Sequence, residues 1–360
     1  MSAPSYDDVV ATHAAAAANA REPLLVLEPL RTFLDAHGLG DGGELQAQPI
    51  GEGHSNVTYL LRSGGDELVL RRPPRGPLPP SAHDVLREAR LLRALEPTGA
   101  RVPRVLAIGD DAAVIGAPFY VMEHVAGVVV TDSVPAALDT AAERRRLGEE
   151  LVDALVEVHA VDWRAHGLGG FSRDPGGYLE RQLRRFGGLW AHLKTRDVEA
   201  VDAVGAWLAE HVPRSGPASI VHGDYRLGNA MMAATAPARL VAIFDWEMAT
   251  IGDPLADLGY LCSMWVQDDD PPLPALFEFG GVTRGAGFLT RDELVARYEE
   301  RSGRAMTDIR WYRALALWKA AVFMEGNVRR AQSGTTDDPW LKGFGDGVIE
   351  LAERARALGD

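Results

Sequence analysis

Three polar side chains stand at a spacing that suits the transfer of a phosphoryl group. Asp224 and Asn229 lie five residues apart in the stretch VHGDYRLGN, and Asp245 follows an apolar segment, residues 240–244. Phosphoryl transfer to an alcohol needs a carboxylate that orients and deprotonates the hydroxyl, and oxygen ligands that hold Mg²⁺ against the nucleotide phosphates. Asp224 is therefore the candidate base, and Asn229 and Asp245 are the candidate Mg²⁺ ligands.

Short apolar segments predict the elements that position these residues. Residues 219–221 lead into the first motif, and residues 240–244 form a second apolar run that ends at Asp245. The second segment has the length and composition of a short buried strand. We therefore expect Asp224 and Asp245 to emerge at strand ends, on loops held by a packed scaffold. The order His-x-Asp, then Asn, then a strand-borne Asp resembles the catalytic and metal-binding loops of protein kinases.

The chain resembles the aminoglycoside phosphotransferase and choline kinase group of kinase-like enzymes. The resemblance rests on the segments VHGDYRLGN, IFDWEMATIGDPLADLGYL and PFYVMEHVAG, and covers residues 50–261 and 318–330. The amino-acid sequences of these segments are most similar to the branch that includes the kinase-like domain fused to some acyl-CoA dehydrogenases. The resemblance implies an α+β, bilobal protein-kinase-like fold, with a small N-terminal antiparallel-sheet lobe and a larger, mainly helical C-terminal lobe.

The resemblance also implies that the first lobe binds the nucleotide. The segment GEGHS precedes a predicted β-hairpin at the place of the kinase glycine-rich loop, and Gly53 and Ser55 are its candidate phosphate contacts. Arg71 stands where kinases carry a lysine, and the chain has no lysine before Lys194. Arginine is permanently charged and binds phosphate with two parallel hydrogen bonds, so it can do the same electrostatic work. Glu88, in the following helix, is the candidate partner of Arg71.

Three further roles are implied by the resemblance. The backbone carbonyl of Glu123 and the backbone amide of Val125 would read the adenine ring. Arg226, two residues beyond the candidate base, takes the place where many protein kinases keep a lysine near the γ-phosphate. A structural salt bridge is the alternative interpretation of Arg226.

Several other polar residues have structural interpretations. His222 is predicted to hold the catalytic loop, and Asp257 is predicted to bind loop backbone from a helix start. Asp253, before Pro254, is typical of a turn or a helix cap. The acidic run at residues 268–270 is typical of a solvated loop, although it could also attract an amine acceptor.

Hydrophobic periodicity gives a coarse map of the chain. Helices are predicted over residues 24–37, 84–95 and 141–159, a hairpin over residues 57–71, and strands over residues 102–108 and 119–125. We expect a mobile N-terminal arm over residues 1–22, a nucleotide-binding lobe over residues 23–124, and a catalytic and acceptor-binding lobe over residues 125–360. The nucleotide is expected in a cleft between the two lobes.

Composition limits the class of protein. The chain has 360 residues, 46% of them hydrophobic, and a formal net charge of −14. This acidity argues against a nucleic-acid partner, which requires a basic face. Cys262 is the only cysteine, the first residues lack the pattern of a secretory signal, and no apolar run reaches the ~20 residues that span a bilayer. We expect a cytoplasmic protein that does not enter a membrane; the sequence leaves its oligomeric state open.

The sequence favours an ATP-dependent, or GTP-dependent, kinase of a small molecule that carries a hydroxyl group. An aminoglycoside is the acceptor suggested by the family, whereas the dehydrogenase-fused branch favours a hydroxylated acyl-CoA or another metabolite. Arg71 motivates a second hypothesis, a nucleotide-binding pseudokinase. A metal-dependent hydrolase built on His222 and Asp224 is a third hypothesis, but it would require more ligands than this chain places at short spacing.

Overall fold

The computed structural model describes residues 8–19, 21–51, 56–76, 83–271, 281–334 and 344–359. The chain divides into two compact units, one made of residues 1–98 and 102–125, the other of residues 99–101 and 126–360. No helix in the described ranges combines the length and the apolar character needed to cross a bilayer.

The first unit is built around an antiparallel sheet. Its strands are β1 (Val9–Val10), β2 (Leu25–Val26), β3 (Leu45–Ile50), β4 (Val57–Ser63), β5 (Asp66–Arg72), β6 (Val105–Gly109) and β7 (Phe119–Glu123). Five of them form one sheet in the order β3-β4-β5-β7-β6, with every pairing antiparallel. Its helices are α1 (His13–Ala18), α2 (Leu27–Ala36), α3 (Val85–Leu95) and α4 (Ala112–Ile115).

The predicted hairpin and the predicted helix after it are confirmed. The register of β4 and β5 pairs Ser63 with Asp66 across a Gly64-Gly65 turn, which suits a two-residue loop because glycine adopts the positive φ that such turns need. Helix α3 begins after Asp84, whose carboxylate accepts a hydrogen bond from the amide of Arg87 at 2.9 Å. These two elements carry Arg71 and Glu88.

The start of the first predicted helix is wrong by three residues. Leu25 and Val26 form β2, which pairs in parallel with β1, and α2 begins only at Leu27. The amides of Leu24 and Leu25 donate to the carbonyl of Asp8 at 2.7 and 2.9 Å, so local strand pairing overrides helical periodicity here. Residues 8–19, within the segment predicted to be a mobile arm, contain β1 and α1.

The second unit is mainly helical. Its helices are α5 (Ala141–Ala160), α6 (Tyr178–Leu193), α7 (Glu199–Glu210), α8 (Leu255–Met264), α9 (Arg291–Ser302), α10 (Ile309–Gln332) and α11 (Phe344–Arg356). Its strands are β8 (Val128–Val129), β9 (Ser219–Val221), β10 (Ala230–Met232), β11 (Leu240–Ile243) and β12 (Thr250–Gly252). Strands β8, β10 and β11 form one antiparallel sheet, and β9 pairs with β12.

Helix α10 runs through the core of this unit and packs against α8 and α11. Trp311 and Trp318 are buried on it and donate their indole N–H groups to backbone carbonyls of α7. Gly259 of α8 permits the close approach of the two helices, because a Cβ there would lie 2.6 Å from the backbone of Tyr312. This core positions α8, whose Asp257 is hydrogen-bonded to the loop that follows β9.

Candidate active site

The loop after β9 is anchored by a buried carboxylate. Asp257, near the start of α8, accepts hydrogen bonds from the amides of His222 at 2.6 Å and Gly223 at 2.8 Å. Gly223 has φ +90°, and a Cβ there would lie 2.9 Å from Met248, so the turn requires glycine. The predicted role of Asp257 in binding loop backbone is confirmed.

His222 connects the two loops that carry the candidate catalytic residues. Its Nε2 lies 2.8 Å from the carbonyl of Phe244, and its Nδ1 accepts a hydrogen bond from the amide of Asp224 at 3.2 Å. The ring is buried against Trp246. Because both ring nitrogens are used by backbone, His222 holds the loops together and has no nitrogen left for a metal ion.

Asp224 and Asn229 are joined directly. The side-chain amide Nδ2 of Asn229 donates to the carbonyl oxygen and to Oδ2 of Asp224, both at 2.8 Å. Asn229 ends a short 3-10 turn, Leu227–Asn229, and is buried, whereas Asp224 is half-buried. The amide therefore orients the carboxylate of Asp224, and Oδ1 of Asn229 is the atom that can serve as a metal ligand.

Strand pairing brings Asp245 next to Asn229. Ala230 of β10 pairs with Ile243 of β11, and the amide of Phe244 donates to the carbonyl of Asn229 at 2.9 Å. Asp245 then adopts a left-handed backbone conformation, φ 64° and ψ 60°. Aspartate tolerates this region better than most residues, but the conformation is strained, as is common at functional sites.

The residues at this position fit a magnesium ion. Asn229 and Asp245 offer one amide oxygen and one carboxylate, and Mg²⁺ prefers such hard oxygen ligands while keeping waters and phosphate oxygens in its remaining positions. Among the described residues, no three His, Cys, Asp or Glu side chains converge as a metal site. The donor set thus matches an ion held jointly with a nucleotide.

Arg226 lies beside the candidate base. Its Nε is 3.7 Å from Oδ1 of Asp224, and both side chains are partly exposed. The guanidinium folds back over Gly228, where a Cβ would collide with it. The pair fits both interpretations of Arg226, a cation near the base and a structural salt bridge.

Tyr260 is a neighbour of the base that the sequence analysis missed. Burial, together with the nearby carboxylate of Asp224, raises the pKa of the Tyr260 phenol well above its usual value. Tyr260 lies three residues after Asp257 on α8, so both side chains share one helix face. The spacing of three residues between Asp257 and Tyr260 was the sequence signal that could have identified Tyr260.

In the first unit, the structure contains the predicted ion pair. Nε of Arg71 on β5 lies 3.0 Å from Oε2 of Glu88 on α3, and Glu88 is almost fully buried. A buried carboxylate depends on such a partner, because an isolated charge would be costly. Gly53 and Ser55 lie outside the described residues.

The predicted adenine-reading backbone lies at the end of β7. The amide of Glu123 donates to the carbonyl of Arg104 at 3.0 Å, and its carboxylate accepts from the amide of Arg104 at 3.0 Å. Val125 follows as the last residue of the first unit. The contacts of Glu123 and Val125 with a nucleotide stay a prediction.

Asp257 belongs to a buried network behind the catalytic loop. Nε2 of His159 lies 3.2 Å from Oδ2 of Asp257, and Nδ1 of His159 lies 2.7 Å from the hydroxyl of Tyr298. Burial lowers the pKa of His159, which keeps the imidazole neutral. The pKa of Asp257 is also lowered, because the hydrogen bonds from His159 and the loop backbone outweigh burial.

Replacing Asp257 with asparagine is expected to lower the free energy of unfolding by about 2–4 kcal/mol, because an amide NH₂ would face the N–H donors that the carboxylate now satisfies. Urea denaturation of the variant and of the parent protein measures this difference. Asp268→Asn, the same chemical change at an exposed position, is the matched control. Equal stability of the two variants would contradict the anchoring role of Asp257.

Comparisons with known proteins decide the family. The model of the phosphotransferase enzyme family, APH, matches residues 46–315. The chain belongs to this family. The APH domain contains all the described candidate residues of both units, including the Asp224–Asn229 pair and the Arg71–Glu88 pair.

Known relatives of this family member include larger proteins. Acyl-CoA dehydrogenase family member 10 of Mus musculus is 32% identical over 328 residues, which cover 91% of this chain and 30% of that protein. The chain therefore spans about a third of the length of that relative. This similarity confirms the resemblance to the kinase-like domain of such dehydrogenases.

Two solved structures show which fold this chain has. A protein from Ralstonia eutropha JMP134, whose assignment as an aminoglycoside phosphotransferase is provisional, is 32% identical, with a TM-score of 0.80 over 92% of this chain and 97% of that one. The GDP and kanamycin complex of APH(2")-IIIa is 20% identical, with a TM-score of 0.59 over 87% of this chain and 93% of that one. The predicted kinase-like α+β fold, with its antiparallel-sheet lobe and its helical lobe, is confirmed.

Proposed function

We propose that this chain transfers the γ-phosphate of ATP or GTP to a hydroxyl group of a small-molecule acceptor. The observation that carries the proposal is the hydrogen-bonded pair of Asp224 and Asn229 beside Asp245. A base, an amide and a second carboxylate in this order supply what phosphoryl transfer to an alcohol needs. Membership in the APH family and similarity to a GDP-binding phosphotransferase support the same reaction class.

Asp224 is the general base in this mechanism. Its carboxylate takes the proton of the acceptor hydroxyl as that oxygen attacks the γ-phosphorus, and the bond from phosphorus to the β,γ-bridging oxygen breaks to release ADP or GDP. The hydrogen bond from Asn229 to Oδ2 holds the carboxylate in one orientation before the acceptor arrives. Orientation of this kind lowers the entropy lost on reaching the transition state.

Asn229 and Asp245 are the proposed metal ligands. When bound there, Mg²⁺ would neutralise negative charge on the nucleotide phosphates. The left-handed backbone of Asp245 turns the chain immediately after β11, and the backbone hydrogen bond between Phe244 and Asn229 keeps the two ligands adjacent. Arg226, next to Asp224, adds positive charge on the same loop.

The first unit supplies the proposed nucleotide contacts. Arg71 is held by Glu88 at 3.0 Å, and this restraint fixes the orientation of its planar guanidinium, a group suited to phosphate oxygens. The remaining proposed contacts are the phosphate-binding residues Gly53 and Ser55 and the adenine-reading backbone of Glu123 and Val125.

The acceptor is proposed as a class only. The family contains phosphotransferases that act on antibiotics, whereas the mouse relative joins this kind of domain to an acyl-CoA dehydrogenase. A hydroxylated acyl-CoA or another metabolite is therefore the alternative to an aminoglycoside. A nucleotide-binding pseudokinase is the remaining alternative, motivated by Arg71 in place of lysine.

A screen for acceptor-dependent release of ADP or GDP tests the proposed function. Hydroxylated acyl-CoA compounds, aminoglycosides and macrolides are each incubated with the protein, Mg²⁺ and nucleotide, and the released diphosphate is measured. We expect at least one class to accelerate release, and we expect EDTA to abolish the acceleration. Nucleotide binding without Mg²⁺-dependent turnover of any acceptor would favour the pseudokinase.

A further inference from the structure

A small pocket in the second unit lies beside the candidate base. It is lined by Tyr178 of α6, Gly223 of the catalytic loop, Tyr260 of α8, and Tyr312 and Lys319 of α10. Gly223 is the chain neighbour of Asp224, and the carboxylate of Asp224 contributes to the raised pKa of the Tyr260 phenol. The pocket has a volume of about 10 Å³, which is room for about one water-sized group. A molecule whose hydroxyl lies at Asp224 would therefore place a single oxygen atom among these side chains, which we call the Lys319 pocket.

Lys319 is the cation of this pocket. Within the described part of the chain its ammonium makes no hydrogen bond and no ion pair; it lies 4.9 Å from the ring centre of Phe186. Burial, with a further contribution from Arg185, lowers the pKa of Lys319 to about 8. The three N–H donors of the ammonium thus lack a protein acceptor, although they stand in a site that partly removes them from water.

The choice of lysine at this position is unusual for the chain. Lysine and arginine together number 37, and Lys194, Lys319 and Lys342 are the only lysines. A chain that uses arginine nearly everywhere else carries here a compact ammonium on a flexible stem, which can donate to a single oxygen in a confined space. The planar fork of arginine would suit a broad phosphate or carboxylate face instead.

The charges around the Lys319 pocket favour an acceptor oxygen. Arg185 adds positive charge, and the two carboxylates that act on Lys319 are Asp257 and Asp224. Asp257 is already satisfied by backbone N–H groups and His159, and Asp224 is the base. A cationic acceptor group would meet the ammonium without a spare carboxylate to compensate it.

We propose that Lys319 is a specificity-determining residue of the acceptor site, where its ammonium donates hydrogen bonds to an anionic or carbonyl oxygen of the acceptor and disfavours a cationic one. The assignment of this pocket to the acceptor rests on the proposed function, because it places the acceptor hydroxyl at Asp224. In the structure the ammonium of Lys319 makes a cation–π contact with the ring of Phe186.

Three probes with one carbon skeleton test the charge preference: 3-hydroxybutanoate, butane-1,3-diol and 4-aminobutan-2-ol. Protein labelled with [ε-¹³C]lysine gives three signals, and Lys319→Met identifies the relevant one by its loss. We expect 3-hydroxybutanoate to move the Lys319 signal and to raise its pKa by about one pH unit or more, as an opposite charge at hydrogen-bonding distance does. 4-Aminobutan-2-ol should leave both the signal and the pKa of Lys319 unchanged.

Thermal unfolding supplies a second, independent measurement. A ligand that binds only the folded protein raises the Tm, so 3-hydroxybutanoate should raise the Tm of the parent protein and of Lys194→Met but not of Lys319→Met. Lys194 is the matched control, because it is a partly exposed lysine paired with Asp197. A purely structural role for Lys319 would change the Tm without changing its response to the probe.

Two results would overturn the proposal: no response of the Lys319 signal to 3-hydroxybutanoate, or an equal response to 4-aminobutan-2-ol. Neither measurement involves phosphoryl transfer. A positive binding result without diphosphate release in any screen would therefore support the Lys319 pocket and favour the pseudokinase over the kinase reaction. Diphosphate release without a response of the Lys319 signal would support the kinase reaction and overturn the role of the Lys319 pocket.

Discussion

Replacing Asp224 with alanine is expected to lower kcat by about 10²–10⁴-fold, the usual contribution of a positioned general base. Nucleotide affinity should change little, because the proposed phosphate contacts of Arg71 and the ligand oxygens of Asp245 are untouched. Steady-state turnover with an acceptor found in the screen measures kcat, and calorimetric titration with ATP measures affinity. The combination separates loss of chemistry from loss of binding.

Asp224→Asn provides a stricter version of the same experiment. The amide keeps the size of the side chain and an oxygen for the hydrogen bond from Asn229, but it cannot take the proton of a hydroxyl. We expect a loss of kcat of the same order as in the alanine variant. Asp268→Asn, at an exposed position, should retain full turnover. Full turnover by either Asp224 variant would remove Asp224 from the role of base.

Replacing Asp245 with asparagine is expected to weaken binding of the Mg²⁺-nucleotide complex. Even residues that only support a metal ligand typically contribute 10–100-fold to metal affinity, so loss of a ligating carboxylate should cost at least about tenfold. Asparagine tolerates the left-handed backbone that Asp245 adopts, so the turn after β11 should survive. The variant therefore removes charge with little change in the fold.

Titration with ATP in the presence and in the absence of Mg²⁺ measures this effect. In the parent protein Mg²⁺ should strengthen ATP binding, and in Asp245→Asn that dependence should be largely lost. A control without Mg²⁺ should give similar affinities for both proteins. If Mg²⁺ strengthens ATP binding equally in both, Asp245 does not hold the ion.

The sequence predicted the parts of this fold that depend on local chemistry. The helix that carries Glu88 and the hairpin that carries Arg71, closed by the Gly64-Gly65 turn, both form where the pattern predicted them. The start of α2 was wrong because it depends on pairing with a strand distant in sequence. Local propensity has no information about such a partner.

In the candidate site, too, the features that depend on local sequence could be predicted and those that depend on tertiary structure could not. Spacing within the motif brought out Asp224, Asn229 and Asp245 as candidates, and the position of Asp257 at a helix start predicted its bonds to the loop. The hydrogen bond from Asn229 to Asp224 could not be predicted, because it depends on the curl of the loop between them.

Tyr260 and Lys319 were missed for a different reason. Both lie on helices whose patterns are dominated by buried apolar residues, so a tyrosine or a single lysine there is normally interpreted as packing or as a surface charge. Only the packing of α8 and α10 against the catalytic loop shows that both side chains line one pocket with Gly223. Tertiary contact, not periodicity, identifies them.

The central claim is that the γ-phosphate moves to an acceptor hydroxyl under the control of Asp224. ³¹P NMR during turnover of Mg²⁺-ATP with the acceptor found by screening tests it most directly. We predict a phosphate monoester signal that grows at the rate of ADP formation in the parent protein and is lost in Asp224→Ala. Formation of ADP with inorganic phosphate alone, or an undiminished monoester signal in the variant, would contradict the account.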